Sequence, residues 1–226
     1  MKSFFGTLLD PKRLILMLIG NVFLGMGISI FKLSGLGNDP FSGMVMALAD
    51  TSGIAYARFL ILLNLILFVV QLIWGRRFIG AGTLVNAVLL GYFVTFFYDI
   101  WIGLAVEPQL LWQRVVTVAI GVVVCSFGVS LYQTSNVGIA PYDALSLMMK
   151  DALPRVSYFW HRMFTDACCA LVCFLFGGII GLGTLVCMFG LGPIIHFFNV
   201  YVSEKLLGKH DRPTRRQVIE NSDRVM

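Results

Sequence analysis

Charge is scarce in this chain. Only 13% of its 226 residues are Asp, Glu, Lys or Arg, about half the share of an ordinary soluble domain. With 58% hydrophobic residues, that scarcity excludes a soluble globular domain and a disordered chain alike. A nucleic-acid module is excluded too, because the net +5 is explained by where the basic residues lie. Catalytic signatures are also missing. There is no H-E-x-x-H and no G-x-S-x-G, so an intramembrane enzyme has no support. No Walker motif or dinucleotide fingerprint occurs, which argues against ATP-driven work by this chain alone. The chain therefore reads as no enzyme, with no cofactor and no resident metal.

No C-x-x-C pair occurs either. The five cysteines, Cys125, Cys168, Cys169, Cys173 and Cys187, are odd in number and lie inside apolar stretches. That excludes a disulfide framework and makes them small apolar fillers. Cys169 and Cys173 share a helix face, which leaves a soft-metal site as the alternative. The basic flank Lys12-Arg13 precedes a long apolar run that lacks a small-residue cleavage site. It reads as an uncleaved first helix, not a signal peptide.

What is present is length of apolar sequence. Six stretches approach the roughly 20 residues that cross a bilayer core: Leu14–Leu33, Tyr56–Gly75, Ala81–Ile102, Leu111–Thr134, Val156–Phe176 and Leu182–Val202. Two shorter segments, Phe41–Thr51 and Tyr142–Leu153, follow Pro40 and Pro141. At about 1.5 Å per residue they are about 17–18 Å long and read as half-helices that dip into the membrane, or as helices lying at its surface. With a cytoplasmic N-terminus, Lys32, Arg58 and Arg114 fall outside and the other fourteen of the 17 basic residues fall inside. This bias favours both termini in the cytoplasm. The expected divisions are an N-terminal cytoplasmic segment 1–13, a first unit 14–102 holding short helix 41–51, a second unit 111–205 holding short helix 142–153, and a basic cytoplasmic tail 206–226.

The two units repeat at a constant offset of 101 residues, as from Ile19 to Ile120. Gly27-x-Ser29 matches Gly128-x-Ser130, and Ser34, Gly37 and Pro40 match Ser135, Gly138 and Pro141. The block Ile79-Gly80-Ala81-Gly82-Thr83-Leu84-Val85 matches Ile180-Gly181-Leu182-Gly183-Thr184-Leu185-Val186 with one mismatch. Three spans per unit put the second unit into the membrane from the opposite side. The expected fold is thus all-α, six transmembrane helices plus two half-helices in two inverted three-span repeats, a pattern typical of transporters that bind near the midplane.

Three stretches carry a family resemblance. These are Gly35-Leu36-Gly37-Asn38-Asp39-Pro40-Phe41, its partner Val137-Gly138-Ile139-Ala140-Pro141-Tyr142-Asp143, and the two Gly-x-Gly-Thr-Leu blocks. Through them the chain resembles the YczE/YitT-type family of bacterial integral membrane proteins over about residues 12–205. The resemblance implies a polytopic bacterial membrane protein and supplies no catalytic residues.

Candidate site residues follow from polar groups in apolar surroundings. Asp39 is placed to cap the first short helix, and Asp143 lies in the first turn of the second. Asn38, Ser42 and Tyr142 flank them. Exposed N–H groups at such helix ends suit an anion, but the two carboxylates compete for them and shift the preference to a cation, an amine or a proton. The alternative is plain capping of surface helices. Asp166 falls near mid-depth of its span, where an ionised group is costly. Arg162, four residues earlier, is spaced to pair with it. Asn64 aligns with Thr165, so both units place a polar group at that depth. Asn86 and His196 complete the set, with packing or cross-helix bonding as their alternative roles. The Gly-x-Gly-Thr blocks and Gly177-x-x-x-Gly181 suggest close helix packing. Asp151 is spaced to pair with Arg155.

The leading expectation is a secondary transporter of a small polar or charged solute, bound at the repeat interface, with Asp166 as a proton carrier. A passive channel and a non-transporting scaffold protein are the rivals. The expected partners are the solute and the lipid bilayer; a homo-oligomer is left open.

Overall fold

The computed structural model describes residues 10–207, and its regular structure there is all helical. The helices are α1 (Pro11–Ser34), α2 (Pro40–Ser52), α3 (Tyr56–Trp74), α4 (Ala81–Gly103), α5 (Leu111–Thr134), α6 (Pro141–Ala152), α7 (Tyr158–Leu175) and α8 (Leu182–Phe198). A π-helical turn, Asn199–Ser203, carries α8 on towards Leu206. Residues 1–9 of the N-terminal segment and 208–226 of the basic tail lie outside the described residues.

Five helices are long and apolar enough to cross a membrane: α1, α3, α4, α5 and α8 with its extension. The predicted span Val156–Phe176 is the 18-residue helix α7, in which His161, Arg162 and Asp166 hold hydropathy below that of the other five. Large side chains on the outer faces are exposed, among them Leu62, Leu65, Ile66 and Val69 of α3 and Phe189 and Phe197 of α8. The first helix starts earlier than its apolar run. Asp10 accepts from the Lys12 N–H at 3.1 Å and Pro11 takes the first helical position, so the basic pair lies within the first turn.

Helices α1 and α5 form the buried centre and run antiparallel. Arg13, at the start of α1, donates to the Ser135 carbonyl beyond the end of α5 at 3.3 Å. Glycines let the two backbones touch. A Cβ on Gly27 would lie 2.7 Å from the Cα of Cys125, and one on Gly20 would lie 2.5 Å from the Tyr132 nitrogen. The exchanged contacts recur at the 101-residue offset: Gly128 packs on Leu24, and Gly121 on the Phe31 ring. Small residues of this kind hold helices together where apolar burial offers no gain over lipid.

The repeated Gly-x-Gly-Thr blocks pack differently from their sequence reading. They join a helix start to the loop of the opposite unit. The Gly82 N–H donates to the Val137 carbonyl at 2.9 Å, and the Gly183 N–H donates to the Leu36 carbonyl at 2.8 Å. In those loops Gly37 (φ +97°) and Gly138 (φ +122°) adopt conformations that side chains resist. Gly177 and Gly181 make no helix–helix seam. Gly177 lies in the turn after α7, where an added Cβ would meet nothing within 4 Å, because the chain there has left the helix.

The loops before α2 and α6 reach far down the central helices. Asn38 donates to the Ile28 carbonyl at 3.1 Å, six residues and about 9 Å before the end of α1. From there α2 climbs back. Thr51 near its end donates to the Phe176 carbonyl after α7 at 3.4 Å, and Asp50 lines one pocket with Lys32 and Gly35. At its far end α6 is tied by an exposed ion pair from Asp151 to Arg77 in the turn after α3. Asp151 thus pairs across the fold and not with Arg155, since Pro154 ends the helix between them.

Candidate functional site

The starts of α2 and α6 meet at the centre of the molecule. Asp39 caps α2, its Oδ1 accepting from the Ser42 N–H at 3.0 Å. The start of α6 has no carboxylate at that position, since Ala140 stands there, and Tyr132 of α5 serves instead. Its hydroxyl accepts from the Ala140 N–H at 3.3 Å and donates to Asp143 Oδ2 at 2.5 Å. The first side chains on the two short helices after their prolines, Phe41 and Tyr142, stack with ring centroids 4.2 Å apart and planes 11° from parallel. Such a pair contributes about 0.5–1.5 kcal/mol beyond its burial.

The second unit adds an ion-pair network to this centre. Arg162 of α7 contacts Asp143 Oδ1 through Nη1 and Asp166 Oδ2 through Nε at 3.3 Å. Its guanidinium also lies over the Tyr142 ring, 4.8 Å from the centroid. The Tyr142 hydroxyl donates to Asp166 Oδ1 at 2.5 Å, and the Cys169 thiol donates to that hydroxyl at 3.7 Å. Asp166 is 5% exposed. Both oxygens of Asp143 and both of Asp166 are therefore engaged. Asp39 differs, because its Oδ2 is buried and has no hydrogen-bond partner among the described residues.

A cavity of about 80 Å³ lies among these groups. Its walls pair Leu24 with Cys125, Ile28 with Val129, Asp39 with Ala140, Phe41 with Tyr142, Ser42 with Asp143 and Leu90 with Leu191, each 101 residues apart. Asn64, Asn86 and Arg162 complete the wall. Seven of the sequence-derived candidates thus line one space: Asp39, Ser42, Asn64, Asn86, Tyr142, Asp143 and Arg162. Asp166 stands behind Tyr142 and reaches the cavity through it.

Other candidates lie elsewhere or are already engaged. Asn38 is buried, but it supports the loop by bonding Ile28 and the Asp39 N–H, the latter at 2.8 Å. His196 is exposed on α8 and contributes nothing to the cavity. Asn86 donates to Asn21 Oδ1 at 2.8 Å, and Asn64 to the Ala87 carbonyl at 3.3 Å, so both amides tie helices together as well as facing the cavity. Cys169 and Cys173 are buried free thiols, and among the described residues no three His, Cys, Asp or Glu side chains converge as metal ligands.

Tyr132 and Asn21 were missed by sequence reasoning. The signal for Tyr132 lay in the repeat, where its counterpart is Phe31 and only the hydroxyl is new. Asn21 had a weaker signal, a single amide in an apolar helix opposite Val122.

Comparison with known proteins gives relatives but little chemistry. The chain is 27% identical over 201 residues to the uncharacterized Bacillus subtilis protein YyaS, covering 86% of this chain and 96% of that one. It is 28% identical over 191 residues to an uncharacterized Haemophilus influenzae protein, covering 83% of each. The Bacillus subtilis protein YczE, described as an uncharacterized membrane protein, is 24% identical over 179 residues, 79% of this chain and 81% of that one. No solved structure matches the chain significantly. Apolar helices and a membrane protein among the relatives agree on a helical membrane protein, consistent with the YczE-type resemblance. Residues 11–200 match the model of the family of unknown function DUF6198, and the chain belongs to that family.

Proposed function

We propose that the protein is a secondary transporter of a small polar or charged solute, held in the central cavity between two inverted three-span repeats. The observation that carries the reading is the cavity itself. It is lined by residue pairs related through the internal repeat and ringed by Asp39, Asp143 and Arg162. A binding site on the axis between two exchanged halves can be uncovered to either side by rocking one half against the other. The antiparallel α1 and α5, and the return of α2 towards the end of α1, support inverted repeats with re-entrant short helices. Asp166, bonded to Tyr142 and Arg162, is the group that couples occupancy of the cavity to the charge network. The chain performs no covalent chemistry in this reading and resides in the bacterial inner membrane with both termini cytoplasmic.

The test is flux in proteoliposomes holding the purified protein. Counterflow of a bound solute should saturate, and Asp166→Asn should abolish or uncouple it. Coupled flux unchanged by Asp166→Asn would remove that residue from the mechanism, and flux that never saturates would indicate a passive pore.

A further inference from the structure

We propose that the central cavity takes a small organic ammonium ion, with its charge at Asp39 and its alkyl part against the Phe41–Tyr142 pair. The inference deepens the solute-binding reading above and rests on it. Charge bookkeeping comes first. Three carboxylates, Asp39, Asp143 and Asp166, surround one guanidinium, Arg162. Arg162 is already shared between Asp143 and Asp166, so it offers little to an anion. Those two carboxylates are in turn satisfied by Arg162, Tyr132 and Tyr142. The group left over is Asp39, whose buried Oδ2 has no hydrogen-bond partner among the described residues. A buried acceptor without a donor is costly, and an ammonium N–H supplies both the donor and the opposite charge.

The remaining wall distinguishes organic from inorganic cations. A bare hard cation calls for a cage of several oxygens. Here Leu24, Ile28, Leu90 and Leu191 present only carbon beside the amides of Asn64 and Asn86, and Phe41 adds an aromatic ring. Aliphatic walls and the apolar edge of the Phe41–Tyr142 pair suit an alkyl group. The volume of about 80 Å³ matches about three waters at roughly 30 Å³ each, which limits the guest to a few heavy atoms. A proton on Asp39 would also satisfy Oδ2, and the experiment separates that case.

The test is equilibrium dialysis and thermal unfolding of the full chain in lipid nanodiscs, with methylammonium, ethylammonium, sodium, potassium and acetate as probes. Saturable binding of the two ammonium ions at one per chain is expected, with no saturable binding of acetate and weaker or no binding of sodium and potassium. Asp39→Asn should weaken ammonium binding about tenfold or more while leaving the helical circular dichroism intact. Leu191→Phe, which fills the cavity and leaves every carboxylate in place, should also lose binding. Undiminished binding by either folded variant overturns the proposal. So does acetate binding, tighter binding of an alkali cation, or no saturable ammonium binding by the unmodified chain. Binding is read without flux. Ammonium binding without uptake therefore overturns the transport reading alone, and uptake of another solute without ammonium binding overturns this one alone.

Discussion

Tyr132 donates its hydroxyl proton to Asp143 at 2.5 Å, while the residue 101 positions before it, Phe31, carries a ring of the same shape and no hydroxyl. The comparison isolates one oxygen. Tyr132→Phe removes the donor to Asp143 and the acceptor for the Ala140 N–H without changing ring packing against α1. Leaving these buried groups unsatisfied should cost about 1–3 kcal/mol. Reversible unfolding in detergent is the measurement, and an effect within about 0.5 kcal/mol of zero would show that the hydroxyl is dispensable.

Arg162 is the only cation in contact with Asp143 and Asp166 among the described residues. Removing it strands two carboxylates. Arg162→Met should therefore destabilise the protein by about 3–5 kcal/mol. Adding Asp166→Asn to that variant should restore part of the loss, because a neutral amide no longer needs the guanidinium. A double-mutant cycle on unfolding free energies reads the coupling. Strict additivity would mean that the pair does not interact in the folded protein.

Gly37 and Gly138 sit at matching points of the two units, both at positive φ and both against the opposite Gly-x-Gly-Thr block. A Cβ at Gly138 would lie 2.7 Å from the Gly80 nitrogen, and one at Gly37 would lie 2.9 Å from the Gly181 nitrogen. Gly37→Ala and Gly138→Ala should each cost about 1–3 kcal/mol from backbone strain, plus the loosening of the loop contact. Gly103→Ala, with nothing within reach, is the control and should be nearly neutral. Thermal unfolding of the three variants gives the comparison.

The repeat explains how much of this was legible in the sequence. An offset of 101 residues identified the paired loops and both short helices, and polar groups in apolar surroundings supplied seven of the residues that line the cavity. Asp166 and Arg162 were legible because charge in an apolar helix is expensive and four-residue spacing is directional. His196 misled because sequence gives depth along a helix but not the direction a side chain faces, and α8 turns it outward. The partner of Asp151 misled for a related reason. Local spacing suggested Arg155, whereas the end of α6 lies beside the turn that carries Arg77. The offset also weakens at Asp166 itself. Its counterpart Leu65 is exposed on α3, so the buried charge has no partner in the first unit to reveal its contacts.

The last prediction concerns the direction of the short helices, on which inversion of the repeats depends. If α2 and α6 are re-entrant, the chain crosses six times, and the loops after α2 and α4 lie on the side opposite the turn after α3. Single cysteines at Ser52, Arg76 and Glu107, introduced after the native cysteines are replaced, report this through an impermeant maleimide on intact and permeabilised spheroplasts. With a cytoplasmic N-terminus, Ser52→Cys and Glu107→Cys should label from outside, and Arg76→Cys only after permeabilisation. Full crossing by both short helices would reverse all three results while keeping both termini inside. In the protein, Thr51 bonds Phe176 after α7, and Asp50 shares a pocket with the end of α1. A helix that had crossed the membrane could not bring its end back to the level at which α1 finished. The reversed labelling pattern would therefore overturn the re-entrant reading, and with it the inverted arrangement that puts the cavity on an axis between the two units.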